Sequence, residues 1–325
     1  MIRTCNRPEP DGNPLLGMGS GQGALDALSP GAPIFSEDDT KVVGTFNTLS
    51  DRDLQRADGA GRILLGGSER ETQIIDIFQK SPVRIMFPRV TGGPVEEAVL
   101  INTGGGIAGG DRLEYWVTAI EGASIAVTSQ AAEKVYRALD EPARITTKLR
   151  VSEAAKLAWL PQETILFNTA RICRNTEIEV SFGAEVLAVE WIVLGRSAYG
   201  EQMVNGQITD SWCVKKDGRL IWADSFRCVD ETYPHLHKKA LLSRSKAIGT
   251  LVYLGRDLDD RLESIRGIAP SLECCCGATL VSGVMIVRFA AETGFGLRLA
   301  LHRVLERFRL DLGPGPFRVP KMWSC

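Results

Sequence analysis

Three glycines in the first half of the chain have the spacing of a dinucleotide-binding loop. Gly104, Gly106 and Gly109 satisfy the pattern G-x-G-x-x-G, and the apolar run 98–101 precedes them as a strand should. In that motif the pyrophosphate sits on the N-terminus of a following helix. Residues 111–118 instead largely alternate polar and apolar side chains, which is typical of a strand. A dinucleotide-binding oxidoreductase that uses this loop is therefore kept only as an alternative function.

Three carboxylates beside loops could contact a divalent cation. Asp111 follows the glycine loop, Glu163 follows Leu-Pro-Gln, and Glu201 follows Gly200. Oxygen ligands hold late transition-metal ions less tightly than Cys or His ligands, and weak ligation suits a path that must release what it receives. The alternative is structural, because Asp and Glu are rarely buried without a partner. Each carboxylate would then cap a turn or pair with a nearby arginine.

Other metal-ligating or nucleophilic groups are poorly placed for chemistry. His235 and His237 could share one face of a strand, but the further ligands that a closed zinc site needs are not adjacent. Cys274, Cys275 and Cys276 are consecutive, and side chains on a strand alternate between faces, so the three thiols cannot converge on one ion. We expect these cysteines to pack as small apolar side chains. The sequence contains neither a G-x-S-x-G motif nor a phosphate-binding P-loop.

Composition indicates an ordinary globular chain. The 325 residues are 44% hydrophobic and 24% charged, with a net charge of −2. That charge provides no basic field for nucleic acid or for an anionic membrane. No apolar run approaches the ~20 residues that span a bilayer, and no secretory signal is apparent at the N-terminus. We therefore expect a cytoplasmic protein with reduced thiols, and neither nucleic acid nor membrane as a partner.

The pattern of elements predicts a mainly β fold. Residues 1–50 are expected to be a disordered or loosely ordered extension, because residues 1–40 are rich in Gly, Pro, Asp and Ser, and residues 51–325 are expected to form one domain. Short apolar runs bounded by turn residues predict strands. These runs are residues 63–65, 83–87, 98–101, 113–117, 124–128, 145–151, 157–160, 178–182, 186–194 and 220–222. The turn signals at 121–122, 182–183 and 217–218 predict hairpins, and hence layered antiparallel sheets in a superhelix- or sandwich-like arrangement.

Helical signals are fewer. The segments 130–138, 236–247 and 257–265 have plausible helical spacing. The clearest helix covers residues 297–308 near the C-terminus, where an apolar stripe faces one way and charged residues face the other. The stripe consists of Leu297, Leu301, Val304, Leu305 and Phe308. We expect this stripe to be buried in the core.

Four segments taken together resemble one protein family. They are NTGGGIAGGD at 102–111, TSQAAEKVYR at 128–137, WLPQETILF at 159–167 and LGRSAYGE at 194–201. In this order and spacing the chain is similar to the urease accessory protein UreD family, also called UreH. The resemblance extends from about Leu54 to Trp323.

The resemblance implies a scaffold that is not itself an enzyme. The family acts in nickel delivery to apo-urease, so the chain is expected to bind UreF, to recruit the GTPase UreG through UreF, and to dock on apo-urease. It implies no permanently bound cofactor, with nickel only in transit. Asp111, Glu163 and Glu201 are then the candidate ligands of a transient nickel path, and their structural interpretation stays open.

Overall fold

The structure, a computed structural model, describes residues 55–68, 71–88, 97–196, 199–312 and 315–324. The expected N-terminal extension, residues 1–50, lies outside these ranges. Among the helices in the described ranges, none has both the length and the apolar composition that would carry it across a membrane.

Two β-sheets form the body of the described domain. The first sheet has the strand order β2-β1-β5-β8-β11-β13-β14. Its strands are β1 (Asp58–Ser68), β2 (Glu71–Lys80), β5 (Arg112–Ala119), β8 (Ala143–Val151), β11 (Arg171–Val180), β13 (Gln207–Lys216) and β14 (Arg219–Cys228). The second sheet has the order β3-β4-β6-β9-β12-β15-β17-β16, with two short strands, β7 and β10, attached to β12 through β10. Its strands are β3 (Val83–Met86), β4 (Glu97–Asn102), β6 (Ser124–Ser129), β7 (Glu133–Val135), β9 (Lys156–Leu160), β10 (Thr164–Leu166), β12 (Glu185–Leu194), β15 (Ala247–Leu254), β16 (Cys275–Val281) and β17 (Val284–Ala291).

The chain alternates between the sheets, so that most central strands run parallel. After β5 in the first sheet comes β6 in the second, and the alternation repeats for β8 and β9 and for β11 and β12. A strand that returns to its sheet after each excursion runs in the same direction as its predecessor, and the pairs β5–β8, β8–β11 and β11–β13 are all parallel. The mainly β, superhelical and layered fold is confirmed. The expected antiparallel pairing holds only toward the sheet margins, as in β1–β2, β13–β14 and β15–β17.

The turn signals explain this correction. Glu121 and Gly122 have φ values of 53° and 73°, and Asp217 and Gly218 have similar values of 49° and 76°. The second turn makes the expected hairpin between β13 and β14. The first turn passes the chain from β5 to β6 in the other sheet, as the turn at Gly183 does between β11 and β12. The hairpin prediction is therefore wrong at these two turns.

Two α-helices pack on the outer face of the second sheet. Helix α1 covers Leu258–Ile268 and helix α2 covers Gly294–Leu312. The expected apolar stripe of α2 is fully buried, with Leu305 0% and Phe308 1% exposed, in a cluster with strands β12, β15 and β17. The C-terminal helix and the expected burial of its stripe are confirmed.

Two other helix predictions are wrong. Residues 130–138 contain the short strand β7, and residues 236–246 form turns before β15 begins at Ala247. In the first segment, pairing of β7 with β10 satisfies the backbone groups that a helix would have satisfied internally. Helix propensity is a weak preference, and such tertiary pairing overrides it.

A polar layer divides the core between the two sheets. On β8, Ile145 belongs to one apolar cluster and Leu149 to the other, and Thr147 lies between them. On other strands too, the apolar residues on the two sides of an inward-facing polar residue belong to different clusters. We call this layer the polar belt; it consists of Tyr115, Thr147, Arg174, Thr176, Glu190 and Asp210. Burying charged groups in a core costs free energy unless they are paired, so the belt marks the candidate functional site.

Candidate functional site

Three neighbouring strands of the second sheet are interrupted at the same level. The chain leaves the sheet between β4 and Ile107, between β6 and β7, and between β9 and β10. The interruptions lie side by side, because the amide of Glu133 donates to the Glu163 carbonyl at 2.8 Å and the amide of Ile107 donates to the Lys134 carbonyl at 2.7 Å. They open the sheet directly over the polar belt.

A cavity of about 270 Å³ lies behind these interruptions. Its rim includes the exposed residues Gly105, Gln130 and Ala131, and its inner end is formed by the buried Arg174 and Glu190. Both sheets contribute to the wall between rim and inner end. The wall residues include Asn102, Tyr115, Glu133, Thr147, Trp159, Gln162 and Thr164. The cavity therefore connects an exposed rim to the polar belt.

A charged network closes the inner end. The guanidinium of Arg174 donates two hydrogen bonds to the carboxylate of Asp210, each 2.8 Å long. Its third nitrogen lies 2.7 Å from a carboxylate oxygen of Glu190. The other oxygen of Glu190 accepts a bond of 2.8 Å from the indole of Trp159. Two buried carboxyl groups thus share one cation.

Glu133 carries the carboxyl group nearer the rim. Its carboxylate accepts a 3.0 Å hydrogen bond from the side chain of Asn102, and among the described residues it has no ion-pair partner. Burial raises the pKa of Glu133 to about 7, although the bond from Asn102 opposes this rise. Burial also raises the pKa of Glu190, with Arg174 opposing the rise. Burial raises the pKa of the Tyr115 phenol, and the charges of Glu133 and Glu190 raise it further.

The raised pKa of Glu133 gives a testable dependence of stability on pH. A carboxyl whose folded pKa exceeds its unfolded value of 4.5 contributes stability below that value and loses the contribution as pH rises through about 7. Glu133→Gln cannot titrate, so its stability relative to wild type should rise between pH 5 and pH 8 by about 1–3 kcal/mol. Urea unfolding at several pH values measures this difference. A difference that is constant over the range would contradict the assigned environment.

Beyond the network, a row of polar side chains continues between the sheets. Thr250 lies opposite Glu190 in the β12–β15 register, and Arg288 lies opposite Thr250 in the β15–β17 register. Arg288 donates to Thr250 and forms an ion pair with Asp224 of the first sheet at a partly exposed position. The side-chain oxygens of Thr147 and Thr176 and the indole nitrogen of Trp212 are buried here without a hydrogen-bond partner among the described residues. Such atoms are uncommon in dry cores.

The three carboxylates chosen from sequence have separate contacts. Asp111 accepts hydrogen bonds from the amides of Ala57 and Ala108 at 2.8 and 2.7 Å. It therefore joins the glycine loop to the start of β1. None of its contacts involves the other two carboxylates.

Glu163 and Glu201 each pair with an arginine. Glu163 lies 2.6 Å from Arg298 of helix α2. Glu201 pairs with Arg196, and this hydrogen bond lowers the pKa of Glu201. The structure does not bring Asp111, Glu163 and Glu201 into one cluster through these contacts. Within the described ranges, no group of three or more His, Cys, Asp or Glu side chains is arranged to hold a metal ion.

The glycine loop has a local structural role. Gly106 has a φ of 149°, and a Cβ there would lie 2.5 Å from the ring of Tyr136, so that a side chain would have no room. The hydroxyl of Tyr136 donates to the Gly105 carbonyl at 2.8 Å. Strand β5 follows the loop where a dinucleotide-binding motif would have a helix. The loop therefore presents no helix N-terminus to a pyrophosphate.

A family profile and three relatives identify the family. A family profile described as UreD urease accessory protein matches residues 57–324. The chain belongs to the UreD family. A urease accessory protein UreD from Agrobacterium fabrum (strain C58) is 38% identical over 270 residues, covering 83% of this chain and 92% of the relative. The UreD of Methylobacterium sp. (strain 4-46) is 35% identical over 278 residues, covering 83% and 96%. UreD 1 of Brucella ovis is 35% identical over 280 residues, covering 86% and 98%.

The first three of the segments that resemble UreD contribute residues to the cavity lining. The first three supply the three interruptions, and the fourth places Arg196 over the ring of Phe167, which ends the third segment, at 4.2 Å. Sequence reasoning found these segments but missed Glu133, Arg174, Glu190 and Asp210. A signal for three of them was present, because each charged residue occupies an inward-facing position of a strand face that is otherwise mostly apolar.

Proposed function

We propose that this UreD-family chain is a cytoplasmic scaffold of urease maturation that guides nickel into apo-urease. It binds UreF, recruits UreG through UreF, and docks on apo-urease. It turns over no substrate and holds no permanent cofactor, because nickel is its cargo. The family membership supports the role in urease maturation, and the polar belt supports the guidance of a cation.

The main observation behind this proposal is the cavity, which runs from an exposed rim to the polar belt. Replacing a buried ion cluster by well-packed apolar residues is often neutral or stabilising, so stability alone does not require Arg174, Glu190 and Asp210 in the core. The carboxyl groups of Glu133 and Glu190 line the cavity and offer oxygen donors to a cation. Oxygen donors bind nickel more weakly than thiolates or imidazoles, and weak binding permits release.

The proposed route begins at the rim and follows the carboxylates inward. Glu133 receives the hydrated cation, and Tyr115 and Thr147 line the same cavity as Glu133 and Glu190. Beyond Glu190, the row through Thr250 leads toward the partly exposed pair of Arg288 and Asp224. The unpartnered polar atoms along this row can bind water that accompanies an ion.

The prediction that nickel contacts Asp111, Glu163 and Glu201 in transit remains separate from this route. Their observed contacts supply the structural alternative, a turn cap for Asp111 and arginine pairs for Glu163 and Glu201. Glu163 lies between the cavity-lining Gln162 and Thr164 in the chain, so it is the member of this set closest to the proposed route along the sequence. Variants of Glu163 and Glu201 therefore serve as comparisons for Glu133.

The alternative function, a dinucleotide-binding oxidoreductase, has its own simple test. When the purified chain is titrated with NAD(H) or NADP(H) in a calorimeter, we expect no saturable binding. We expect no binding because a strand follows Gly109, where a dinucleotide-binding motif would have its phosphate-binding helix.

Reconstitution tests the proposed function. Urease, UreF and UreG are produced in a bacterial host without another UreD, either with or without this chain. We expect this chain to co-purify with UreF and apo-urease and to raise the nickel bound per urease active site. Equal nickel content in both preparations, measured by mass spectrometry of the purified urease, would contradict the proposal.

A further inference from the structure

The C-terminal end of the described chain is bonded to the cavity wall. Residues Lys321–Ser324 form a short 3₁₀ turn. The indole of Trp323 donates to the carbonyl of Leu160 at 3.1 Å, and the side-chain amide of Gln162 donates to the carbonyl of Met322 at 3.2 Å. The ring of Trp323 is buried against Trp191, with centroids 5.9 Å apart. The last turn therefore contacts the interruption between β9 and β10 from outside.

Arg298 joins the same elements from helix α2. One nitrogen of its guanidinium lies 2.6 Å from Glu163 and 2.9 Å from the side-chain oxygen of Gln162. Another nitrogen donates to the carbonyl of Trp323 at 3.1 Å. The guanidinium also lies 5.7 Å from the centre of the Trp191 ring. One arginine thus holds the helix, the cavity wall and the last turn together.

The contacts pass from this wall to the proposed metal route. Gln162 donates to the carbonyl of Gln130 at 2.8 Å, which joins the interruption after β9 to the one after β6. The backbone amide of Gln162 donates to the hydroxyl of Ser129 at 2.9 Å. The amide of Glu133 donates to the Glu163 carbonyl at 2.8 Å. The position of Glu133 therefore depends on a loop that the C-terminal turn and Arg298 hold in place.

We propose that the C-terminal turn is a latch on the cavity, with Arg298 as the positioning residue that connects the latch to the wall carrying Glu133. This inference rests on the proposed function only for its consequence in nickel transfer. The latch itself concerns the conformation of the chain. Release of the turn would leave the cavity wall with fewer bonds, while the sheets would keep their own ladders.

Two variants remove latch bonds and retain apolar packing. Trp323→Phe keeps an aromatic ring against Trp191 but loses the bond to Leu160. Arg298→Met keeps the aliphatic stem but loses every guanidinium bond. Arg298→Lys keeps the charge without the planar fork and should be intermediate. The matched control is Arg309→Met on the same helix, because Glu306 is the one ion-pair partner of Arg309 among the described residues and the Arg309 side chain is 47% exposed.

Hydrogen–deuterium exchange of the full chain decides the proposal. Trp323→Phe and Arg298→Met should each raise exchange in peptides covering 129–135 and 159–166 by about tenfold, as expected when an ordinary hydrogen bond no longer opposes local opening. Exchange in a peptide covering 185–194 should not change, and Arg309→Met should match wild type throughout. Unchanged exchange in the two wall peptides, or an equal rise in all three, would overturn the latch.

Nickel content of urease activated with the same variants separates this inference from the proposed function. A local rise in exchange together with lower nickel content supports both. A local rise in exchange with normal nickel content supports the latch and counts against the proposed route through the cavity.

Discussion

Arg174→Met is expected to destabilise the folded protein by about 3–5 kcal/mol, because it leaves Glu190 and Asp210 buried without their cation. The side chain of Arg174 is 3% exposed, so water cannot take its place at little cost. Urea unfolding followed by tryptophan fluorescence measures the change. The effect should be larger than that of replacing Arg150, Arg298 or Arg309 by Met.

Arg150→Met is the matched control for this prediction. Arg150 lies on β8 of the same sheet and pairs with Glu179, but the two side chains are 58% and 46% exposed. Exposed pairs contribute about 0–1 kcal/mol. If Arg174→Met cost no more than Arg150→Met, the belt would not be the buried charged network described.

A second replacement should partly restore stability. Removing the charge of Glu190 in the Arg174→Met background eliminates one of the two buried carboxylates. The free-energy costs of replacing two residues in contact do not simply add. We therefore expect Arg174→Met/Glu190→Gln to be more stable than Arg174→Met alone. A double variant whose cost equals the sum of the two single costs would contradict direct coupling.

The strands were largely predictable, but their partners were not. Apolar runs such as 113–117 and 186–194 correspond to β5 and β12, because alternation and apolar content reflect how a strand is buried. The turns at Glu121 and Asp217 have similar backbone conformations, and one of them connects different sheets. The local sequence therefore determines the turn, while packing over long range determines which strand pairs with which.

The candidate site was predictable in its segments and not in its residues. The glycine loop, Gln130 and Gln162 lie in segments that resemble the family, and they meet at the cavity rim and wall. The chosen carboxylates were those beside loops. Glu190 lies within a continuous apolar strand, and its place in a charged network becomes evident only when the structure brings Arg174 and Asp210 from the other sheet.

Glu133→Gln is expected to lower nickel delivery roughly tenfold, the scale on which loss of a group near a metal lowers affinity. Glutamine keeps the size of the side chain and can still interact with Asn102. It removes the one cavity carboxyl that forms no ion pair among the described residues. Glu179→Gln, on the outer face of the first sheet, removes an exposed carboxylate and is the control.

The most direct test of nickel guidance is the nickel content per urease active site after activation with Glu133→Gln, compared with Glu163→Gln, Glu201→Gln and Glu179→Gln. Melting temperature and co-purification with UreF and urease are measured on the same samples. We expect normal folding and assembly for Glu133→Gln with much less nickel in urease, and normal nickel for Glu179→Gln. Full nickel loading by Glu133→Gln, in a complex that assembles normally, would contradict passage of the ion through this cavity.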